Sequence, residues 1–198
     1  MSSGTSDQRS TQEAIMEATY RALCRHGYAD LTIQVIADEF EKSKSLLYYH
    51  YDTKDELLLA LLEYLLDQSS AEDIIDVEND PETQLQSLID SLLPESIDED
   101  YRELQTALLE LRSQAPVDEA YRGQFTRADQ LLRDTVARIL ERGISDGTFR
   151  EVDIEQSSEL LVSVINGVRL QRATTNSEDT VMKTREGVEK HIRSQLLD

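Results

Sequence analysis

Ser43-Lys44-Ser45-Leu46-Leu47-Tyr48-Tyr49-His50-Tyr51-Asp52-Thr53-Lys54-Asp55-Glu56-Leu57 gathers two lysines, three tyrosines and a histidine into one short stretch. Ser43 has the chemistry to cap a short helix, and Thr53 with Glu56 forms an S/T-x-x-E capping box for a second one. Lys44 and Lys54 then fall in first turns, where the helix dipole disfavours a cation. Lysines set against the dipole imply an outside anion held jointly by free amides and the ammonium. Two such helix starts, interleaved with hydrogen-bonding aromatics, fit a DNA backbone better than a small phosphate. The plainer reading is that Tyr48 and Tyr51 are half-buried packing and that both lysines are simply solvated.

The residues just upstream favour the nucleic-acid reading. Thr32 caps a short apolar-striped segment in which Ile33, Ile36, Ala37 and Phe40 share one face. Only Glu41 and Lys42 separate it from Ser43. A capped helix, a tight turn and a second short helix make a helix-turn-helix, with Ser43 to Tyr49 as its recognition helix. Ile15, Ala18, Leu23, Gly27 and Tyr28, then Thr32, Ile36 and Ala37, then Ser43, Leu47, Tyr48, His50, Lys54 and Leu57 follow a known pattern. Over about the first sixty residues the chain resembles the tetracycline-repressor (TetR) family of transcriptional regulators; beyond them only helix count and lengths correspond. Glu41 and Lys42 depart from the glycine and apolar residue usual in that family's turn.

The chain has 198 residues, forty acids against twenty lysines plus arginines, and a formal charge of −20. Seven glycines, three prolines and no tryptophan, among many Leu, Glu, Ala and Arg, favour an all-α protein, and the caps and apolar stripes along the chain mark out about nine helices. A DNA-binding protein is usually basic, so the balance is at first sight contradictory. Residues 1–60 carry a net −4 and residues 61–198 a net −16, and only five residues are lysine. A lysine-poor, carboxylate-rich surface suits a halophile's interior, where molar salt cuts the Debye length to about 3 Å and repulsion from DNA fades. Cys24 is the only cysteine, which leaves no intramolecular disulfide, and it is expected to pack inside. No long apolar run or signal-peptide pattern is present, so a cytoplasmic protein with no membrane partner is expected.

The expected organisation is a disordered tail over 1–9, a helix-turn-helix domain over 10–56, and a ligand-binding and dimerisation domain over 57–198. Ser10-Thr11-Gln12-Glu13 forms a capping box for helix one, and Gly27 ends that helix. Leu57 to Leu66, apolar nearly all round, is expected as an enclosed helix and a lever between the domains. The acidic connection 71–80 lacks the glycine and carboxylate spacing of a calcium loop and reads as a solvated linker. Pro81 opens helix five, Ser96 and Glu99 cap helix six, helix seven ends at Gly143, and Ser177 opens helix nine. Gly167 in helix eight implies close approach of another helix.

No catalytic or metal-binding set is recognisable, and no cofactor is expected: His26, His50 and His191 are far apart, and Cys24-x-His26 is too little for zinc. The resemblance implies a pocket for an unidentified small-molecule ligand among helices four to seven. Tyr64, Tyr101, Leu104, Leu108, Phe125 and Leu132 are its candidate lining, with plain core as the competing reading. The resemblance also assigns helices eight and nine to a homodimer interface, with Leu161, Ile165, Val168, Val181, Val188 and Ile192 as the candidate residues. Intrachain packing explains the same pattern.

The expected function is a sequence-specific repressor of double-stranded DNA carrying a palindromic operator, released by ligand. Thr32, Ser43, Lys44, Ser45, Tyr48, Tyr49, His50 and Lys54 are its DNA-binding candidates. Thr32, Tyr48, His50 and Lys54 are assigned to phosphates, and Lys44, Ser45 and Tyr49 to base edges. The alternative is a dimeric helical interaction module or small-molecule carrier of the same fold that has lost DNA binding.

Overall fold

The computed structural model describes residues 3–40, 44–68, 79–176 and 178–197, and among them there are nine helices and no strand. They are α1 (Ser3–Asp30), α2 (Ile33–Glu39), α3 (Lys44–His50), α4 (Lys54–Gln68) and α5 (Pro81–Leu92). After these come α6 (Glu99–Arg112), α7 (Glu119–Asp146), α8 (Ile154–Thr174) and α9 (Glu178–Leu196). Ser177 and most of the acidic connection lie outside the described residues.

Two helix boundaries differ from the sequence expectation for a shared reason. The backbone is already helical from Ser3, so Ser10 does not start α1 and residues 3–9 are not a separate tail. A capping pattern marks a start only if the preceding residues leave the helix, and no proline stands there to force them out. Likewise α7 runs past Gly143 to Asp146, and Gly147 at φ 80° turns the chain out. Gly143 instead makes room for a ring: a Cβ there would sit 2.1 Å from Phe149. Gly27, by contrast, breaks α1 as read, at φ 68° and ψ 168°.

The described helices pack as two compact units, one comprising the chain up to Gln68 with Glu99–Phe125, the other the segment before Glu99 with Thr126 onward. This packing boundary does not coincide with residue 57. In the first unit α1 packs on α2, α4 and α6, and α2 on α3. Ile15, Leu23, Leu31, Ile36, Leu47, Leu57, Leu58 and Leu61 are its fully buried centre. A bundle of three short helices buries too little alone; α4 and α6 supply the missing apolar faces. Met16 and Leu47 lie in the same core, so the recognition segment is anchored from beneath.

In the second unit Leu85, Leu88, Val136, Leu140 and Phe149 form the core with residues of α8 and α9. Asp80 caps α5 by accepting from the Thr83 N–H at 3.0 Å, and Pro81 occupies the first turn. The buried Arg185 secures the other end of α5. It donates to the Leu93 carbonyl at 2.6 Å and pairs with Asp90, and with Glu189 at 3.1 Å.

Candidate nucleic-acid interface

The Thr32 hydroxyl accepts from the Val35 N–H at 3.2 Å and so starts α2. Ile36 and Ala37 are fully buried, which fixes which face of α2 turns outward. Leu47 does the same for α3. Around it Lys44, Ser45, Tyr48, Tyr49 and His50 are exposed, with Tyr49 82 % accessible. An aromatic ring left that bare on a seven-residue helix contributes nothing to packing. The Tyr49 and His50 rings meet edge to face at 5.1 Å.

A string of polar side chains joins the outer faces of α2 and α3. The Tyr48 hydroxyl donates to Gln34 Oε1 at 3.0 Å, and Gln34 Nε2 donates to Asp38 Oδ1 at 3.0 Å. The same Asp38 oxygen pairs with the Lys44 ammonium. Lys44, first of all, holds the Asp38 carboxyl below its ordinary range. Gln34 and Asp38 were not among the expected site residues. Their four-residue spacing on one helix face was the available signal.

The second lysine is also satisfied from within. Lys54 Nζ donates to the Tyr28 carbonyl at 2.9 Å and lies 4.1 Å from the centre of the Tyr28 ring. Behind it, Thr53 caps α4 by accepting from Glu56 N at 3.2 Å, while Glu56 accepts from Asp52 N at 2.8 Å. Each lysine thus has a partner within its own chain, and each ammonium keeps further N–H groups for an outside anion. Asp38 and the Tyr28 carbonyl already answer the unfavourable dipole positions. Ser43, Glu41 and Lys42 lie outside the described residues.

Tyr51 is half-buried, and that burial pushes its phenol upward. Here the packing reading holds, whereas Tyr48 stands on the open face. Around the base of α2, Arg25 pairs with the Glu39 side chain and Arg21 donates to the Glu39 carbonyl at 3.1 Å. These bonds tie α1 to the end of α2.

The other candidates are placed less simply. Tyr64, Tyr101, Leu104, Leu108 and Phe125 are half-buried in the first unit, and Tyr64, Leu108 and Phe125 pack against its core. The Arg112 guanidinium stands 4.7 Å above the Phe125 ring. Leu132 belongs to the second unit and packs against its core. A cavity of about 160 Å³ beside Cys24, Gly27 and Glu103 involves none of the six, and it is small beside ordinary ligand sites.

Leu161, Ile165, Val168, Val181, Val188 and Ile192 are all buried inside this chain. They are its own core, as the intrachain alternative held. Helical periodicity finds the apolar stripe but cannot name what covers it. The outward face of α8 instead carries Leu160, Ser163, Gly167 and Leu170. Among the described residues nothing lies within 4 Å of where a Cβ on Gly167 would stand, so none of the described helices closes on it.

Residues 81–197 match the family described as BetI-type transcriptional repressor, C-terminal, and residues 15–61 match the bacterial regulatory proteins of the tetR family. The chain belongs to the TetR family of transcriptional regulators. It is thus a DNA-binding regulator, and its family is one of regulators rather than enzymes. A TetR transcription regulator from Haloarcula marismortui is 41 % identical, with a TM-score of 0.84 over 95 % of this chain and 99 % of that one. The HTH-type transcriptional repressor AcnR of Corynebacterium glutamicum is 24 % identical over 98 % of both chains. A regulator from Saccharomonospora viridis, solved in complex with choline, shares the fold at 21 % identity, with a TM-score of 0.76 over 96 % of this chain and 99 % of that one. Among the described residues of the TetR chain, no helix is long and apolar enough to cross a membrane.

Proposed function

We propose that this TetR regulator is a homodimeric repressor that seats α3 of each copy in successive major grooves of a palindromic operator. The bare Tyr49 ring carries the reading, because a solvent-exposed aromatic on the recognition helix has no role in the chain's own packing. Lys44, Ser45 and Tyr49 face base edges; Thr32, Tyr48, His50 and Lys54 take phosphates, with Ser43 assigned beside them. AcnR-type relatives named as repressors support the sign of regulation. Half-sites one turn apart require two copies with recognition helices about 34–36 Å apart. The exposed α8 face of Leu160, Ser163, Gly167 and Leu170, with neighbouring α9, supplies the contact between them.

A small molecule that prefers a different helix separation would release the operator, as a ligand shifts an equilibrium only by its differential affinity. The acidic surface suits a cytoplasm rich in KCl, where phosphate repulsion is screened. The test is anisotropy binding to DNA from upstream of the protein's own gene in roughly 2 M KCl. A duplex selected from a random pool runs in parallel, against a Lys44→Ala, Tyr49→Ala double variant and scrambled DNA. Specific binding that the double variant loses supports the reading. Failure to prefer any sequence, even from the random pool, sinks it and favours a helical interaction module.

A further inference from the structure

We propose that Asp38 is a specificity-determining residue of the DNA interface, one that works by exclusion. The proposal rests on α3 entering the major groove. Asp38 is the centre of the polar string: its Oδ1 holds the Lys44 ammonium and the Gln34 amide, whose own oxygen holds Tyr48. In a chain with forty acids, a carboxylate near a lysine is unremarkable by itself. A carboxylate bonded into a chain of side chains that includes two residues of the recognition helix is a different matter. Both members of the Asp38–Lys44 pair are about half exposed, so the pair contributes little to folding. Its consequence lies with whatever approaches that face.

A DNA duplex approaches with phosphates first. On unrelated sequence a phosphate must share the Lys44 ammonium with Asp38, whose carboxylate then stands against a polyanion. Non-specific binding, which is almost wholly electrostatic, therefore loses part of a cation's attraction and some tolerance for proximity. At base edges the balance reverses. A lysine donates to guanine O6 and N7, while a carboxylate accepts from the cytosine amino group. Neighbouring guanine and cytosine edges satisfy Lys44 and Asp38 together, whereas a guanine or thymine edge against Asp38 leaves the carboxylate without a donor. Discrimination then comes from a repulsive element as much as from an attractive one.

The test begins with a site selected from random duplexes by the wild-type protein. Anisotropy titrations follow on that site and on its scramble, over roughly 0.3–2 M KCl. Asp38→Asn keeps the shape and the bond to Gln34 while removing the charge. It should tighten binding to the scramble about three- to ten-fold at the low end of salt and leave the selected site unchanged or weaker. Asp38→Glu should keep most of the discrimination. Glu141→Gln, an equal change of net charge on the exposed side of α7, should leave the ratio alone. In a Lys44→Ala background the effect of Asp38→Asn should shrink. Equal shifts on both duplexes, or no shift on either, overturn the role of Asp38 while leaving the recognition-helix reading intact. A wild-type protein that selects no site overturns both.

Discussion

Glu110 on α6 accepts a hydrogen bond from the backbone N–H of Tyr28 at 2.6 Å, immediately after Gly27 breaks α1. The Gly27 backbone, at φ 68° and ψ 168°, lies where side chains with a Cβ rarely go. A Cβ there would also stand 3.1 Å from the Glu110 carboxylate. The kink and the bond are thus one device that aims the chain from α1 into α2.

Gly27→Ala should cost about 1–3 kcal/mol, the usual range for such backbone strain. For a chain of this length each kcal/mol lowers Tm by about 2–4 °C. Glu110→Gln, which can still accept the bond, should cost less than Gly27→Ala. Thermal melts of the two variants in the same KCl check the order; a Gly27→Ala protein as stable as wild type would show that the kink relaxes freely.

Asp55 accepts hydrogen bonds from two phenols, Tyr121 at 2.9 Å and Tyr28 at 3.1 Å. Burial first, then the bond to Asp55, pushes the Tyr121 phenol far above its usual range. Burial, then the Cys24 thiol, pushes Tyr20 up to about 12. Unfolded tyrosines titrate near ~10. Raised phenols stabilise the folded chain fully below that pH, and the contribution is lost as pH rises through the folded values. Urea midpoints should therefore hold to about pH 10 and fall toward pH 12. Tyr121→Phe should lower stability at pH 8 by about 1–2 kcal/mol and flatten the alkaline fall. A fall just as steep in the variant would place its origin in other groups.

Leu160 and Leu170, about half exposed on the open face of α8, should carry the contact between copies. Leu160→Glu with Leu170→Glu should give a folded monomer by light scattering, with the circular dichroism of wild type. Ile165→Glu, buried at 1 % exposure on the opposite side of the same helix, should instead unfold the chain. Dimers that survive the double change would move the interface elsewhere.

Local features were legible where one residue type has one physical use. Gly27 announced the end of the helical path, Thr32 its next beginning, and Ile36, Ala37 and Leu47 the buried side of the helix-turn-helix. The partners of those features were not legible. Spacing placed Lys44 and Lys54 in first turns but could not show that Asp38 and the Tyr28 carbonyl meet them, because the second partner lies twenty-six residues away. The same limit governs Val181 and Ile192: a stripe fixes a face, and only the fold says whether that face meets its own chain or another. Arg185 is the extreme case, a buried cation whose carbonyl partner Leu93 is ninety-two residues distant.

Lys54 separates a structural duty from a DNA contact. Its ammonium spends one N–H on the Tyr28 carbonyl and faces the Tyr28 ring, with two N–H groups left for other acceptors. Lys54→Ala should lose the cation–π contact and the carbonyl bond, about 1–2 kcal/mol together. If the remaining donors hold a phosphate, the same variant should weaken binding to every duplex alike and reduce the slope of log affinity against log salt by about one. Lys54→Met, which keeps the stem but no charge, should match alanine in slope and retain more of the packing. A lower Tm with an unchanged salt slope would confine Lys54 to tying α4 to the end of α1, and the phosphate contact at that helix start would pass to His50 or Thr32.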